Sequence, residues 1–88
     1  MDKYTLYTAA EECNEVAQML MKILRFGLMT RSPVTQETNK EMLEEEVGQL
    51  QYCLSRIVKE LNLDNTNIQD AYDAKITTWD KWKAYYDR

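Results

Sequence analysis

Residues 38–61 read Thr38-Asn39-Lys40-Glu41 and onward as TNKEMLEEEVGQLQYCLSRIVKEL. Thr38 and Glu41 stand at capping-box spacing, in which each side chain satisfies an orphan amide at a helix start. Behind them Leu43, Val47, Leu50, Leu54, Ile57, Val58 and Leu61 recur in steps of three and four. That near-heptad stripe runs for roughly five turns and predicts a long amphipathic helix whose apolar side needs another helix to lie against.

The chain on either side supplies candidates. Upstream, Leu6, Ala9, Ala10, Cys13, Val16, Ala17, Leu20, Ile23 and Leu24 follow the same period, and Gly27 suits a helix end. A connection from about Leu28 to Glu37 contains Ser32-Pro33, which resists helix continuation. Downstream, Asn62 to Asn67 is a polar break. Thr66 with Gln69 repeats the capping-box spacing and predicts a third helix carrying Ile68, Ala71, Tyr72, Ile76, Trp79, Trp82 and Tyr86. The expectation is an all-α single domain over residues 1–88. Two helices form an antiparallel hairpin, the third packs across it, and oligomerisation completes the bundle.

Composition narrows the chemistry. The 88 residues include 11 basic and 15 acidic side chains, a formal net charge of -4, with 2 Gly, 1 Pro and no His. So few turn formers argue against an all-β fold. Without histidine there is no Ser–His or Cys–His nucleophile system and no imidazole metal ligand. The acidic balance argues against a nucleic-acid backbone binder. Cys13 and Cys53 lie far apart on apolar-flanked positions and read as reduced core thiols of a cytoplasmic protein. No stretch is apolar enough to span a membrane, and Met1-Asp2-Lys3-Tyr4 lacks signal-peptide architecture. A domain of this size is marginal alone, which again favours an oligomer.

Helical geometry singles out a few acids. Glu12 and Glu15, at i and i+3, are neighbours, and Glu12 sits at the edge of the apolar stripe. Glu46 lies about 70° from the centre of its own stripe, with Gln49 beside it. A carboxylate at a core margin costs several kcal/mol unless paired or metal-bound. Oxygen donors of this kind suit Mg²⁺, with Mn²⁺ as a substitute. The competing reading is a solvated acidic face, and for Glu11, Glu41, Glu44 and Glu45 that reading is preferred.

Glu11-Glu12-Cys13-Asn14-Glu15 forms an EExxE motif, Leu24-Arg25-Phe26-Gly27 closes the helix, and Glu46-Val47-Gly48-Gln49-Leu50 approximates E-[IVL]-G-D-L. In these motifs and their spacing the chain resembles the all-α nucleoside triphosphate pyrophosphohydrolases, the MazG-like group. It is most similar to the short single-domain forms common in bacteriophage genomes. The resemblance implies hydrolysis between the α and β phosphates, giving a monophosphate and pyrophosphate in a host cytoplasm. It implies Mg²⁺ held by Glu12, Glu15 and Glu46, and a homodimer or homotetramer. The family's second-motif aspartate falls on Gln49, a neutral carbonyl donor, which removes one negative charge from the catalytic and metal set. The resemblance also places Lys75, with Asp73 two positions before it, near the phosphates.

Each of these has a plainer alternative. Lys75 reads equally as a surface lysine whose stem covers its helix. Lys22 and Arg25, on the polar side of the first helix, are further candidates for phosphate contact. Trp79, Trp82 and Tyr86 form one stripe, read as an interface with a second subunit before a base-stacking platform. The readings carried forward are an Mg²⁺-dependent nucleotide pyrophosphohydrolase, a non-catalytic nucleotide- or partner-binding relative, and a helical interaction module.

Overall fold

The computed structural model describes residues 2–87, and among them are three α-helices: α1 (Lys3–Phe26), α2 (Asn39–Glu60) and α3 (Asn65–Tyr86). The fold is all-α, as the periodicity predicts. Asp2 caps α1, its Oδ1 accepting from the Tyr4 amide at 2.9 Å. The helix ends at Gly27, whose φ of 94° lies where L side chains are disfavoured and whose amide donates to the Ile23 carbonyl at 2.8 Å. The capping box of α2 is present in both directions. The Thr38 amide donates to Glu41 Oε1 at 3.1 Å, and the Glu41 amide donates to Thr38 Oγ1 at 3.1 Å.

The connection between α1 and α2 is tied down by its own polar groups. Asn39 Nδ2 donates to the Gly27 carbonyl at 2.8 Å, and the Asn39 and Lys40 amides donate to the Thr30 and Leu28 carbonyls at 2.9 Å each. Thr38 and Asn39 are buried, an expensive place for polar side chains that these bonds make tolerable. The hairpin is antiparallel, since Lys22 and Asn39 line one hollow at its closed end while Tyr4 and Arg56 line another at its open end.

α1 and α2 pack along their lengths. Between them lie Ala9, Glu12, Val16, Met19 and Ile23 of α1 and Leu43, Glu46, Leu50, Cys53 and Ile57 of α2, all buried or half-buried. Helical rotation then gives the hairpin two unlike faces. One is polar, with Thr8, Glu15 and Lys22 opposite Glu45, Gln49, Tyr52 and Arg56. The other is apolar, with Ala10, Cys13, Ala17, Leu20 and Leu24 opposite Val47, Leu54 and Leu61, all solvent-exposed.

Three expectations need correction. α3 does not pack across the hairpin: neither α1 nor α2 packs on it as they pack on each other, and none of its described side chains is buried. The radius of gyration, 16.0 Å, exceeds the roughly 12 Å of a compact chain of this length. The physical reason is that the α1–α2 seam closes on itself, while the turn after Leu61, with Asn62 at φ 52°, directs α3 outward. Secondly, α3 begins earlier than its Thr66–Gln69 pattern suggests. Asp64 is the cap, accepting from the Thr66 and Asn67 amides at 2.8 and 3.3 Å. Thirdly, Cys13 is exposed on the apolar face and Cys53 is half-buried, so neither is an enclosed core thiol.

Candidate functional site

The antiparallel register brings the two acid motifs to one level. Glu12 lies between Ala9 and Val16, Glu46 between Leu43 and Leu50, and the two carboxyl groups share a side-chain hydrogen bond inside the seam. Each also keeps one buried oxygen, Glu12 Oε2 and Glu46 Oε2, without a hydrogen-bond partner. Burial is the first cause that raises the Glu46 pKa above the ordinary carboxylate value. The hydrogen bond and charge of Glu12 follow, then the charges of Glu15 and Glu45. Glu15 therefore stands close enough to act on the pair, as the i, i+3 spacing requires.

Glu12 opens onto the polar face through a groove of about 630 Å³. Glu12, Glu45, Gln49, Tyr52 and Thr8 line it. Gly48 lies in its wall, and no atom comes within 4 Å of where a Cβ would stand there. Glu12 and Glu46 thus meet in the seam, with Glu15 near enough to act on Glu46 and Gln49 in the groove wall. Their donor chemistry fits a hard divalent cation: two carboxylate oxygens have no protein partner, and an amide carbonyl and a third carboxylate lie alongside. Among the described residues no three carboxylates or thiols are drawn together as a ligand set.

The remaining candidates divide. Lys22 is on the same polar face, ten residues from Glu12 and therefore about 15 Å along α1. It lines a hollow of about 280 Å³ at the closed end with Arg31, Phe26 and Ser32. Arg25 edges a neighbouring shallow hollow with Lys22 and Gln18. Lys75 and Asp73 are on α3, away from the carboxylates of the same chain. Asp73 is engaged within its own helix, its Oδ1 accepting from Gln69 Nε2 at 2.9 Å.

Glu45, read as solvated, lines the groove, and its charge is the first cause of a raised pKa at neighbouring Glu37. Glu41 has a lowered pKa because the Thr38 backbone and hydroxyl hold its ionised form. Three groove residues, Thr8, Tyr52 and Tyr4, were missed by motif reading. Their signal was spacing: Tyr4, Thr8 and Glu12 are four apart on α1, as are Tyr52 and Arg56 on α2.

Compared with models of known families, with curated proteins and with solved structures, the chain matches none.

Proposed function

We propose that this chain is a divalent-cation-dependent hydrolase of nucleoside triphosphates, yielding a monophosphate and pyrophosphate, and that it is a MazG-like protein of the short bacteriophage type acting in a cytoplasm. The observation that carries the reading is the Glu12–Glu46 pair. Two carboxyl groups are kept in a helix seam at an energetic cost, each with a buried oxygen left without a partner. Such an arrangement is retained at sites of function far more readily than in a purely structural seam.

Glu12, Glu46 and Glu15, with Gln49, would hold Mg²⁺ or Mn²⁺. A bound ion of this kind supplies phosphate neutralisation and an activated water. Lys22 stands on the same face as a counter-charge for the distal phosphates, with Arg25 and Arg31 nearby. Lys75 reaches a carboxylate site only from another copy's α3. A homo-oligomer is therefore part of the proposal, with the apolar hairpin face as its contact. No helix among the described residues is long and apolar enough to cross a bilayer.

Gln49 favours a second reading, a nucleotide-binding relative with weak or no turnover, because it supplies no charge where a carboxylate would polarise water. Pyrophosphate release measured with each nucleoside triphosphate at millimolar Mg²⁺ or Mn²⁺ separates the readings. Turnover that disappears in Glu12→Gln establishes the hydrolase. Tight nucleotide binding without release establishes the binder, and neither binding nor release overturns both. Gln49→Asp is expected to raise turnover and Mg²⁺ affinity by about tenfold or more, since it restores an anionic ligand.

A further inference from the structure

The groove does not stop at the carboxylates. A second hollow of about 400 Å³ continues it toward the open end of the hairpin, sharing Thr8, Tyr52 and Cys53 with the first. Its other walls are Tyr4, Thr5, Asp2 and Arg56. Tyr4 and Tyr52 are 74% and 65% exposed, so their rings face solvent and not the seam. The polar face is thus graded along its length. Lys22 and Arg31 stand at the closed end, the carboxylates in the middle, and two aromatic rings with an Arg and an Asp at the open end.

Resting on the hydrolase reading above, we infer that the Tyr4–Tyr52 hollow is the nucleobase subsite and that it takes a purine, guanine in preference to adenine. The gradient orients the ligand. Phosphates belong with the ion proposed at the carboxylates, on the side toward Lys22, leaving the base to the aromatic end. From Glu12 to Tyr4 is eight residues, about 12 Å along α1. That is the reach of a nucleotide from its metal-bound phosphates to its base. Exposed tyrosine rings offer a stacking surface that any base can use, and a larger purine uses it better.

The edge groups supply the preference. Arg56 spends one guanidinium nitrogen on Glu60 Oε1 at 3.4 Å, and its others match the paired O6 and N7 acceptors of guanine. Asp2 commits Oδ1 to the Tyr4 amide, and Oδ2 is suited to accept from the N1–H and exocyclic amine of guanine. Adenine offers Arg56 one acceptor where guanine offers two.

Calorimetry on the full chain with Mg²⁺ and GTP, ATP, CTP or methyl triphosphate tests this. The expected order is GTP ahead of ATP, then CTP, then methyl triphosphate. Tyr52→Ala and Tyr4→Ala should each weaken GTP by about tenfold, while Tyr52→Phe, which keeps the ring, binds as wild type. Both tyrosines are exposed, so these variants keep the fold. Asp2→Asn preserves the helix cap but should reduce the GTP preference over ATP several-fold. Methyl triphosphate binding should be unchanged in every variant. Equal affinity for GTP and methyl triphosphate, or GTP binding untouched by both alanine variants, overturns the subsite while leaving the hydrolase reading intact. A folded wild type that binds no triphosphate overturns that reading as well.

Discussion

Glu46 shows what a carboxyl group in a helix seam costs a small fold. Its carboxyl sits in the seam beside Glu12, where burial and three neighbouring acids disfavour its ionised form. The sign of the linkage follows. With its pKa raised on folding, the native state holds a proton that the unfolded chain gives up. The native state therefore loses stability as pH rises through the interval above the ordinary value of 4.5, and regains it on acidification. Glu46→Gln removes the charge and keeps the shape. It should raise the melting temperature at neutral pH by about 2–5 °C, an advantage that shrinks as pH falls toward the ordinary carboxylate value. The same variant should lose about a hundredfold or more in pyrophosphate release. Thermal melts across that pH interval, paired with the release assay, read both effects. A melting temperature lowered by the substitution would show the carboxyl to be a structural partner. Glu41 has the opposite sign. Its pKa is lowered by the Thr38 cap, so its contribution is complete above the ordinary value and is lost as pH falls through the lowered one.

Among the elements, α2 was the most legible and α3 the least, and the reason is local. The Thr38–Glu41 box is two reciprocal hydrogen bonds between residues three apart, so sequence spacing contains its whole geometry. The seam was legible because 3.6-residue periodicity fixes which side chains share a face, and with it the approach of Glu12 to Glu46. At α3 two caps competed, Asp64 and Thr66. Asp64 prevails by accepting two amides, a choice that spacing alone leaves open. Whether α3 docks is a tertiary question that its mixed face does not decide, and the exposure of Cys13 depended on the same point. The two caps predict different outcomes. Thr38→Ala, at a buried cap, should cost about 1–2 kcal/mol of stability, whereas Thr66→Ala should be close to neutral and Asp64→Ala should cost about 1 kcal/mol of α3 helicity. Denaturation followed by circular dichroism measures all three. A Thr66→Ala loss equal to that of Asp64→Ala would return the cap to Thr66.

At the scale of the whole molecule, the proposed homo-oligomer answers a shortage of enclosed core. Only Ala9 and Met19 among its described apolar side chains are buried, too small a core for a chain that must order 88 residues. The missing burial has an address. Ala10, Cys13, Ala17, Leu20 and Leu24 run at three-and-four spacing along α1, beside Val47, Leu54 and Leu61 at seven-residue intervals on α2. Two such stripes side by side are one half of a four-helix bundle, in which small residues on α1 admit the larger ones of a facing helix. A second copy of the chain presents the same self-complementary surface about a two-fold axis. Pairing there would leave the carboxylate groove open on the opposite side. Each leucine taken fully out of water contributes about 1.5–3 kcal/mol. Placing a charge on this face should therefore dissociate the assembly without touching the groove. Leu20→Glu with Leu54→Glu is expected to reduce the scattering mass from a multiple of 10.5 kDa to that of one chain. It should lower the melting temperature at the same time, because the monomer keeps so little core. Glu11→Gln, on the other face, serves as the control and should leave the mass unchanged. Wild-type protein that scatters as a single chain at tens of micromolar would show that this face is covered by something other than a second copy.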